Sequence, residues 1–163
     1  KLRMSRQDLK DENKQTEGSP EVKSKIRRLQ MEASQRARTE TNSIDAVDDA
    51  TAIITNPTHF AVALKFVPGA MAVPVIVSMG RGRNAEKIIE KGVSKNVTVF
   101  SSPLLARALY FTSNIGQEID SRLYGAVAAV LAYIIHTDQG IDMQKPIIDV
   151  PKDLQFNEFG RSL

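Results

Sequence analysis

The stretch "TAIITNPTHFAVALKF", Thr51 to Phe66, decides the fold, because it sets two apolar runs on either side of four turn-forming residues. The runs, Ala52–Thr55 and Phe60–Phe66, have the length and composition of buried strands. Between them lies "NPTH", Asn56 to His59, and an Asn-Pro pair is an ordinary turn signal. The sequence therefore predicts two neighbouring strands joined by a tight turn.

The same four residues can support a reaction that breaks the backbone. Asparagine commonly forms a succinimide when the next backbone nitrogen attacks its side-chain amide, but Pro57 has no N–H, so that route is closed at Asn56. The side-chain nitrogen of Asn56 can instead attack its own backbone carbonyl and expel the nitrogen of Pro57. Proline also favours an extended backbone at Asn56. Thr58 can hydrogen-bond locally, and His59 can assist proton transfer. A plain structural turn is the alternative.

Composition restricts the possible functions. The chain has 163 residues, 42% of them hydrophobic, which suits one compact domain with an appendage. It contains no cysteine, which excludes a disulfide, a thiol nucleophile or a thiolate metal site. Its two histidines, His59 and His136, are far apart, so no metal or other cofactor is predicted. A net charge of +3 is too balanced to indicate nucleic-acid binding.

The longest apolar run, Leu123 to Ile135, is shorter than the ~20 residues that a membrane-spanning helix needs. No signal peptide is visible. Residue 1 is Lys rather than Met, and the opening is charged like the middle of a chain. We therefore expect the sequence to be a fragment of a longer protein.

The first 49 residues read as a linker and a basic helix. Residues 1–18 are mostly charged and polar, and the Ser-Pro-Glu at residues 19–21 predicts the start of a helix that runs to about Arg38. A polar link, Thr39 to Asp49, follows. The helix is either solvated with a thin packing stripe, or it lies near an anionic membrane surface or joins a membrane segment to the domain.

From Ala50 the pattern predicts an α/β domain. Further strands are expected at Val73–Met79 and Val97–Phe100, and helices at Asn84–Lys91, Pro103–Thr112 and Ile119–Ile135. This order predicts a small mixed four-stranded sheet covered by helices. The expected organisation is a membrane-proximal linker and basic helix over 1–49, a compact domain over 50–136, and a flexible tail over 137–163.

A second motif, "GRGRNA" from Gly80 to Ala85, loosely matches the dinucleotide pattern G-x-G-x-x-G/A. That pattern also requires an acidic residue about 20 positions later, and the corresponding stretch, Phe100 to Ala108, has none. One interpretation is therefore a nucleotide-binding loop that uses Gly80 and Gly82. The other is a tight turn into a helix.

The stretch "AIITNPTHFAVALKF" resembles the signature of the FlhB/YscU family, the switch proteins of bacterial type III export gates. The resemblance extends to "LRMSRQDLKDE", "EGSPEVKSKIRRLQ", "PLLARALY" and "IGQEI", and so covers nearly the whole chain. The tail "VPKDLQFNE", Val150 to Glu158, is more like the flagellar branch than the needle-complex branch.

The resemblance implies an inner-membrane parent protein with this chain on its cytoplasmic side. It implies self-cleavage between Asn56 and Pro57, a single intramolecular event rather than turnover of an external substrate. By motif position Asn56 is the nucleophile, Pro57 the leaving residue, and Thr58 and His59 the supporting pair. The two pieces are expected to stay associated.

In this family, cleavage changes export from rod and hook subunits to filament subunits. The implied partners are other gate proteins, a hook or needle length-control protein, and exported subunits with their chaperone complexes, but no nucleic acid. A needle-complex equivalent and a docking domain that does not cleave remain alternatives.

Overall fold

A computed structural model describes residues 19–57 and 59–163. Among the described residues the first helix, here α1, runs over Pro20–Ser43. It begins where the sequence predicts, since the backbone N–H of Val22 donates a 3.3 Å hydrogen bond to the Ser19 hydroxyl. The chain divides into two units, Lys1–Arg38 and Thr39–Leu163. Within the first unit, Val22, Ile26 and Leu29 are about half exposed.

The predicted polar link at Thr39–Asp49 is wrong, because this segment is helical. It forms the last turn of α1 and then a 3₁₀-helix, Ile44–Asp49. Two polar side chains near the end of α1 are buried because they have long-range partners. Glu40 is within hydrogen-bond distance of Tyr110, and the hydroxyls of Ser43 and Ser78 lie 2.9 Å apart.

Four strands form one mixed sheet, as predicted. They are β1 (Ala52–Asn56), β2 (Phe60–Lys65), β3 (Val75–Arg81) and β4 (Thr98–Ser101). The order across the sheet is β3-β2-β1-β4. Strand β1 runs antiparallel to β2, to which a turn joins it, and parallel to β4, which a longer connection separates from it in sequence. The strand that carries Asn56 is therefore interior to the sheet.

Three helices cover the sheet: α2 (Arg83–Ser94), α3 (Pro103–Thr112) and α4 (Tyr124–Asp138). The predicted bounds of α3 are confirmed, with proline at its first position. The helix predicted at Ile119–Ile135 corresponds to α4. It begins later than predicted, because a 3₁₀-helix, Ser121–Leu123, precedes it. In residues 19–57 and 59–163, no helix is long and apolar enough to cross a bilayer.

Each face of the sheet has its own hydrophobic cluster. Side chains alternate between faces along a strand, so Ile54 lies in the larger cluster, with residues of α3 and α4. Its neighbour Ile53 lies in the smaller cluster, with residues of α2 and the first 3₁₀-helix. Strand β1 is buried on both faces, which explains its continuous apolar sequence.

The C-terminal segment differs from the flexible tail that the sequence predicts. Val150 and Leu154 are each 3% exposed and belong to the larger hydrophobic cluster. The Nε of Arg107 on α3 donates a 2.7 Å hydrogen bond to the carbonyl of Phe156. Arg122 forms a 2.9 Å ion pair with Asp153. A few well-spaced contacts therefore hold a segment that shows no hydrophobic period.

Candidate functional site

The turn between β1 and β2 holds the Asn56–Pro57 bond. Asn56 is the last residue of β1 and pairs with Phe60, the first residue of β2. The backbone N–H of His59 donates a 3.0 Å hydrogen bond to the carbonyl oxygen of Asn56. Three of the four predicted site residues are thus brought together, while Thr58 lies outside the described residues. The carbonyl that the side chain of Asn56 would attack already accepts a hydrogen bond.

Two more backbone amides hold the ends of this turn. The N–H of Ser102, just before α3, donates a 2.9 Å hydrogen bond to the carbonyl of Thr55. The N–H of Gly82, just before α2, donates a 3.0 Å hydrogen bond to the carbonyl of His59. These bonds fix the backbone on either side of the Asn56–Pro57 bond. Sequence reasoning did not assign a role in the turn to Gly82 or Ser102.

Asn56 is largely buried, and its carboxamide is not tied to another described group. Asn56 is 9% exposed, and alternation along β1 places its side chain on the same face as that of Ile54. Within the described part of the chain, no group forms a hydrogen bond with its carboxamide. No described hydrogen bond therefore has to break before this carboxamide can turn towards its own backbone carbonyl.

The other two described residues of the turn, Pro57 and His59, are exposed. Water can therefore reach both residues. The site thus combines a largely buried asparagine with two solvent-exposed turn residues on the far side of the Asn56–Pro57 bond.

Phe60 anchors the turn in the core. It is 2% exposed, and its ring centroid lies 4.8 Å from that of Tyr110 and 5.5 Å from that of Phe111. The guanidinium carbon of Arg81 lies 5.9 Å from the same ring centroid. Such aromatic packing limits the motion of the residue that directly follows His59.

The glycines of the "GRGRNA" segment are used within the fold. Gly80 lies in β3, where an added Cβ would come within 2.6 Å of the Cβ of Asn84. The N–H of Gly82 is bonded to His59. In a nucleotide-binding loop such an amide would be directed at a phosphate. The observed arrangement therefore favours the tight-turn interpretation of this segment.

An apolar cleft lies on the same face of the sheet as α4. Its volume is about 340 Å³. The β2–β3 connection contributes Phe66, Val73 and Pro74, and α4 contributes further residues, among them Leu131 and Ala132. An open apolar cleft of this kind is suited to binding an apolar group of a partner.

An ion pair joins the segment before β1 to the domain that follows. The Nζ of Lys91 on α2 lies 3.2 Å from a carboxylate oxygen of Asp45 and 3.6 Å from one of Asp48. The hydrogen bond that Lys91 donates to the Asp45 carboxylate raises the pKa of Lys91 above its ordinary value. Because the Asp45 side chain is almost fully exposed, we regard this pair as a weak contact.

Comparison with known proteins identifies the family. The model of the FlhB HrpN YscU SpaS family matches residues 1–134. The flagellar biosynthetic protein FlhB of Salmonella typhimurium is 48% identical over 134 residues, covering 82% of this chain and 34% of that protein. FlhB of Aquifex aeolicus is 44% identical over 135 residues, covering 83% of this chain and 37% of that protein. This chain therefore belongs to the FlhB HrpN YscU SpaS family, as the sequence resemblance predicted, and spans about a third of the length of these curated relatives.

Solved structures agree with this assignment. The crystal structure of the cytoplasmic domain of FlhB from Shewanella putrefaciens matches with a TM-score of 0.64 at 32% identity, covering 72% of this chain and 95% of that one. A mutated EscU C-terminal domain matches with a TM-score of 0.54 at 26% identity, covering 56% of this chain and 92% of that one. Both likenesses confirm the mixed α/β fold.

Proposed function

We propose that this chain is the cytoplasmic switch domain of a flagellar type III export-gate protein, and that it cleaves itself between Asn56 and Pro57. One observation carries the proposal: the carbonyl of Asn56 is held by the N–H of His59, in a turn where none of the described residues forms a hydrogen bond with the Asn56 carboxamide. The arrangement that the reaction requires, an Asn-Pro bond in a turn restrained by hydrogen bonds, is therefore present in this member of the family. Membership in the family supports the wider role in export.

The reaction begins with attack of the Asn56 side-chain nitrogen on its own backbone carbonyl carbon. A five-membered ring closes, and negative charge develops on the carbonyl oxygen. The N–H of His59 is already directed at that oxygen, so it stabilises the charge without rearrangement. In enzymes, a single preorganised donor of this kind is worth about 10²–10³ in rate.

The second step breaks the bond to proline. The attacking nitrogen loses a proton, the Pro57 nitrogen gains one, and the C–N bond cleaves. The products are a succinimide at Asn56 and a free secondary amine at Pro57. Water then opens the succinimide, which adds one water to the fragment that ends at Asn56. His59 is proposed to carry the proton, and Thr58 to shape the turn.

Holding the reacting groups together is the main contribution of the fold. The amide of Asn56 is a weak nucleophile, and free asparagine-proline sequences seldom place it against the carbonyl. The hydrogen bonds to Thr55 and His59 come from outside the turn and restrict the backbone motion on both sides of the reacting carbonyl. The rates of intramolecular reactions rise strongly when the reacting groups are held in orientation in this way.

The proposed consequence is a change in which subunits the gate exports. Cleavage creates a new amino terminus at Pro57, while β1 stays in the sheet. The surface near the turn can then rearrange without unfolding of the domain. Export would then pass from rod and hook subunits to filament subunits. The parent protein would lie in the inner membrane, and its partners would include gate proteins and the length-control protein.

The apolar cleft is the surface that we propose for docking exported subunits. Its walls come from the β2–β3 connection and α4, and both lie after the proposed cut. A short apolar segment of an exported subunit would fill it and leave polar flanking residues in solvent. Cleavage and docking would then use different parts of one domain.

Mass spectrometry of freshly refolded chain tests the cleavage. We expect two fragments, residues 1–56 and 57–163, with the first appearing initially as the succinimide and later gaining one water. A chain that stays intact through prolonged incubation would refute self-cleavage. A first fragment that carries the water from the earliest time point would refute the cyclisation mechanism.

A further inference from the structure

Gly82 has a backbone conformation that is effectively restricted to glycine. It lies between β3 and α2, with φ at +59° and ψ at −125°. An L side chain in this region is strained even where space is available. Space is available here, since an added Cβ would meet none of the described atoms within 4 Å. The requirement for glycine at this position comes from the backbone alone.

This conformation directs the N–H of Gly82 at the carbonyl of His59, 3.0 Å away. The preceding residue, Arg81, pairs with Phe60 in the β2–β3 ladder. The bond from Gly82 therefore continues that ladder by one residue into the turn. It joins the end of β3 that leads into α2 to His59, whose N–H donates to the Asn56 carbonyl.

The amide and the carbonyl of His59 lie on the two sides of its Cα. Fixing the carbonyl restricts how far the amide can swing, and that amide is the donor to the Asn56 oxygen. If the bond from Gly82 were lost, restraint from that side would come only through the neighbouring Phe60, by its strand pairing and ring packing. The donor would then spend less time directed at the reacting carbonyl.

We propose that Gly82 is a positioning residue for the cleavage reaction. The proposal rests on the self-cleavage inferred above and gives the glycine-rich segment a part in it. Gly82 contacts none of the reacting atoms and acts through the backbone of His59. An L residue at position 82 would relax towards negative φ, turn the N–H away and release the turn.

The effect should differ from that of changing the His59 side chain. Gly82→Ala leaves the imidazole in place but loosens the backbone donor, so cleavage should slow equally at every pH. His59→Ala keeps the backbone donor but removes the proton carrier, so its pH profile should change shape. Misplacing a reacting group by about 1 Å can cost roughly 100-fold, and we expect Gly82→Ala to be about 10-fold to 100-fold slower.

The test compares first-order rates of appearance of the Pro57 amino terminus from freshly refolded full chain. Gly69→Ala is the matched control, because Gly69 also has a positive φ, +82°, and open space around its Cα, but lies in the β2–β3 connection. We expect Gly69→Ala to cleave within about twofold of the wild type. Equal rates in wild type and Gly82→Ala, or equal slowing in both variants, would overturn the proposal.

Hydrogen exchange provides a second measurement that does not depend on the fold of Gly82→Ala. In the full chain with Asn56→Ala, the amide of Gly82 should exchange far more slowly than an exposed amide, and rapid exchange would overturn the proposed bond. A wild type that never yields the Pro57 fragment would refute the proposed function as well. A wild type that cleaves, with Gly82→Ala equally fast, would refute the role of Gly82 alone.

Discussion

The hydroxyl of Tyr110 donates a 2.6 Å hydrogen bond to a carboxyl oxygen of Glu40, and both side chains are only 3% exposed. Glu40 precedes the proposed cut and Tyr110 follows it, so the bond would join the two fragments. The ring of Tyr110 also packs on Phe60, next to the turn. The end of α1 is thus linked through one tyrosine to the first residue after the turn.

We predict that the fragments stay together after cleavage. Strand β1 is hydrogen-bonded on one side to β2 and on the other to β4, and both of these belong to the second fragment. Ile53 and Ile54 are fully buried, and each such side chain contributes roughly 1.5–3 kcal/mol. Size-exclusion chromatography under native conditions should give one species of full mass. Separate fragments without denaturant would contradict the placement of β1.

A glycine on α2 offers a sharper test of that association. An alanine Cβ at Gly92 would collide with the Cδ1 of Ile53, across the proposed cut. Overpacking of this kind costs typically about 1–3 kcal/mol, which exceeds the roughly 0.5–1 kcal/mol that alanine gains over glycine in a helix, so Gly92→Ala should lower the denaturant midpoint for separating the fragments. Gly125→Ala is the control, since open space surrounds that helical glycine and alanine there should stabilise by about 0.5–1 kcal/mol.

We predict that Asn56→Ala abolishes cleavage and preserves the fold. The substitution removes the attacking nitrogen, and no described hydrogen bond to the carboxamide is lost with it. The change in unfolding free energy should be about 1 kcal/mol, as for an ordinary substitution. A denaturing gel should show one band, whereas Asn114→Ala, at an exposed loop asparagine, should still cleave. A fragment beginning at Pro57 in the Asn56→Ala chain would refute the cyclisation mechanism.

We predict that Pro57→Ala slows cleavage and diverts Asn56 to another product. Alanine restores a backbone N–H, so the nitrogen of residue 57 can attack the Asn56 side chain and release ammonia. Mass spectrometry should then detect intact chain with a deamidated Asn56. Pro68→Ala, at an exposed proline of the β2–β3 connection, is the control and should cleave like the wild type. Undiminished cleavage in Pro57→Ala would show that proline does not direct the reaction.

The local part of this site could be predicted from the sequence, and the distant part could not. Two apolar runs around Asn56 and Pro57 predict the strands and the turn, because the signals are adjacent. Gly82 was recognised only as part of a loose motif, since its bond to His59 joins residues far apart in sequence. The positive φ of Gly82 also has no sequence signal beyond the presence of glycine.

The ends of the domain show the same limitation. Glu40 and Ser43 look like residues of a solvated link, but each has a polar neighbour within hydrogen-bonding distance that the sequence does not reveal. In the C-terminal segment, Val150 and Leu154 are separated by Pro151 and belong to no sustained period, although both pack in the core. Isolated long-range contacts determine the structure of these regions, whereas the analysis of sequence patterns detects only contacts that repeat locally.

We predict that Ala132→Asp weakens docking of exported subunits without changing cleavage. Ala132 lines the apolar cleft and is exposed, so aspartate there should place a charge in the cleft without burying it in the core. Binding of a purified rod or hook subunit, measured by calorimetry, should fall by about 10-fold or more, because burying an unpaired charge is costly. Ala33→Asp, the same change on the exposed surface of α1, is the control. Unchanged affinity in Ala132→Asp would exclude the cleft as the docking surface.

The last prediction concerns His59, whose backbone and side chain have separable roles. His59→Ala retains the N–H that donates to the Asn56 carbonyl, and Asn56 keeps its nucleophile, so cleavage should slow but continue. General acid–base assistance is worth about 10²–10⁴-fold.

In the wild type, acidification should slow the reaction, since a protonated imidazole cannot accept the proton that the Asn56 nitrogen must lose. In His59→Ala this acid limb should disappear. Time courses across pH, with circular dichroism to verify folding, measure both effects. Equal rates and the same pH profile in the two chains would leave His59 as a turn residue only.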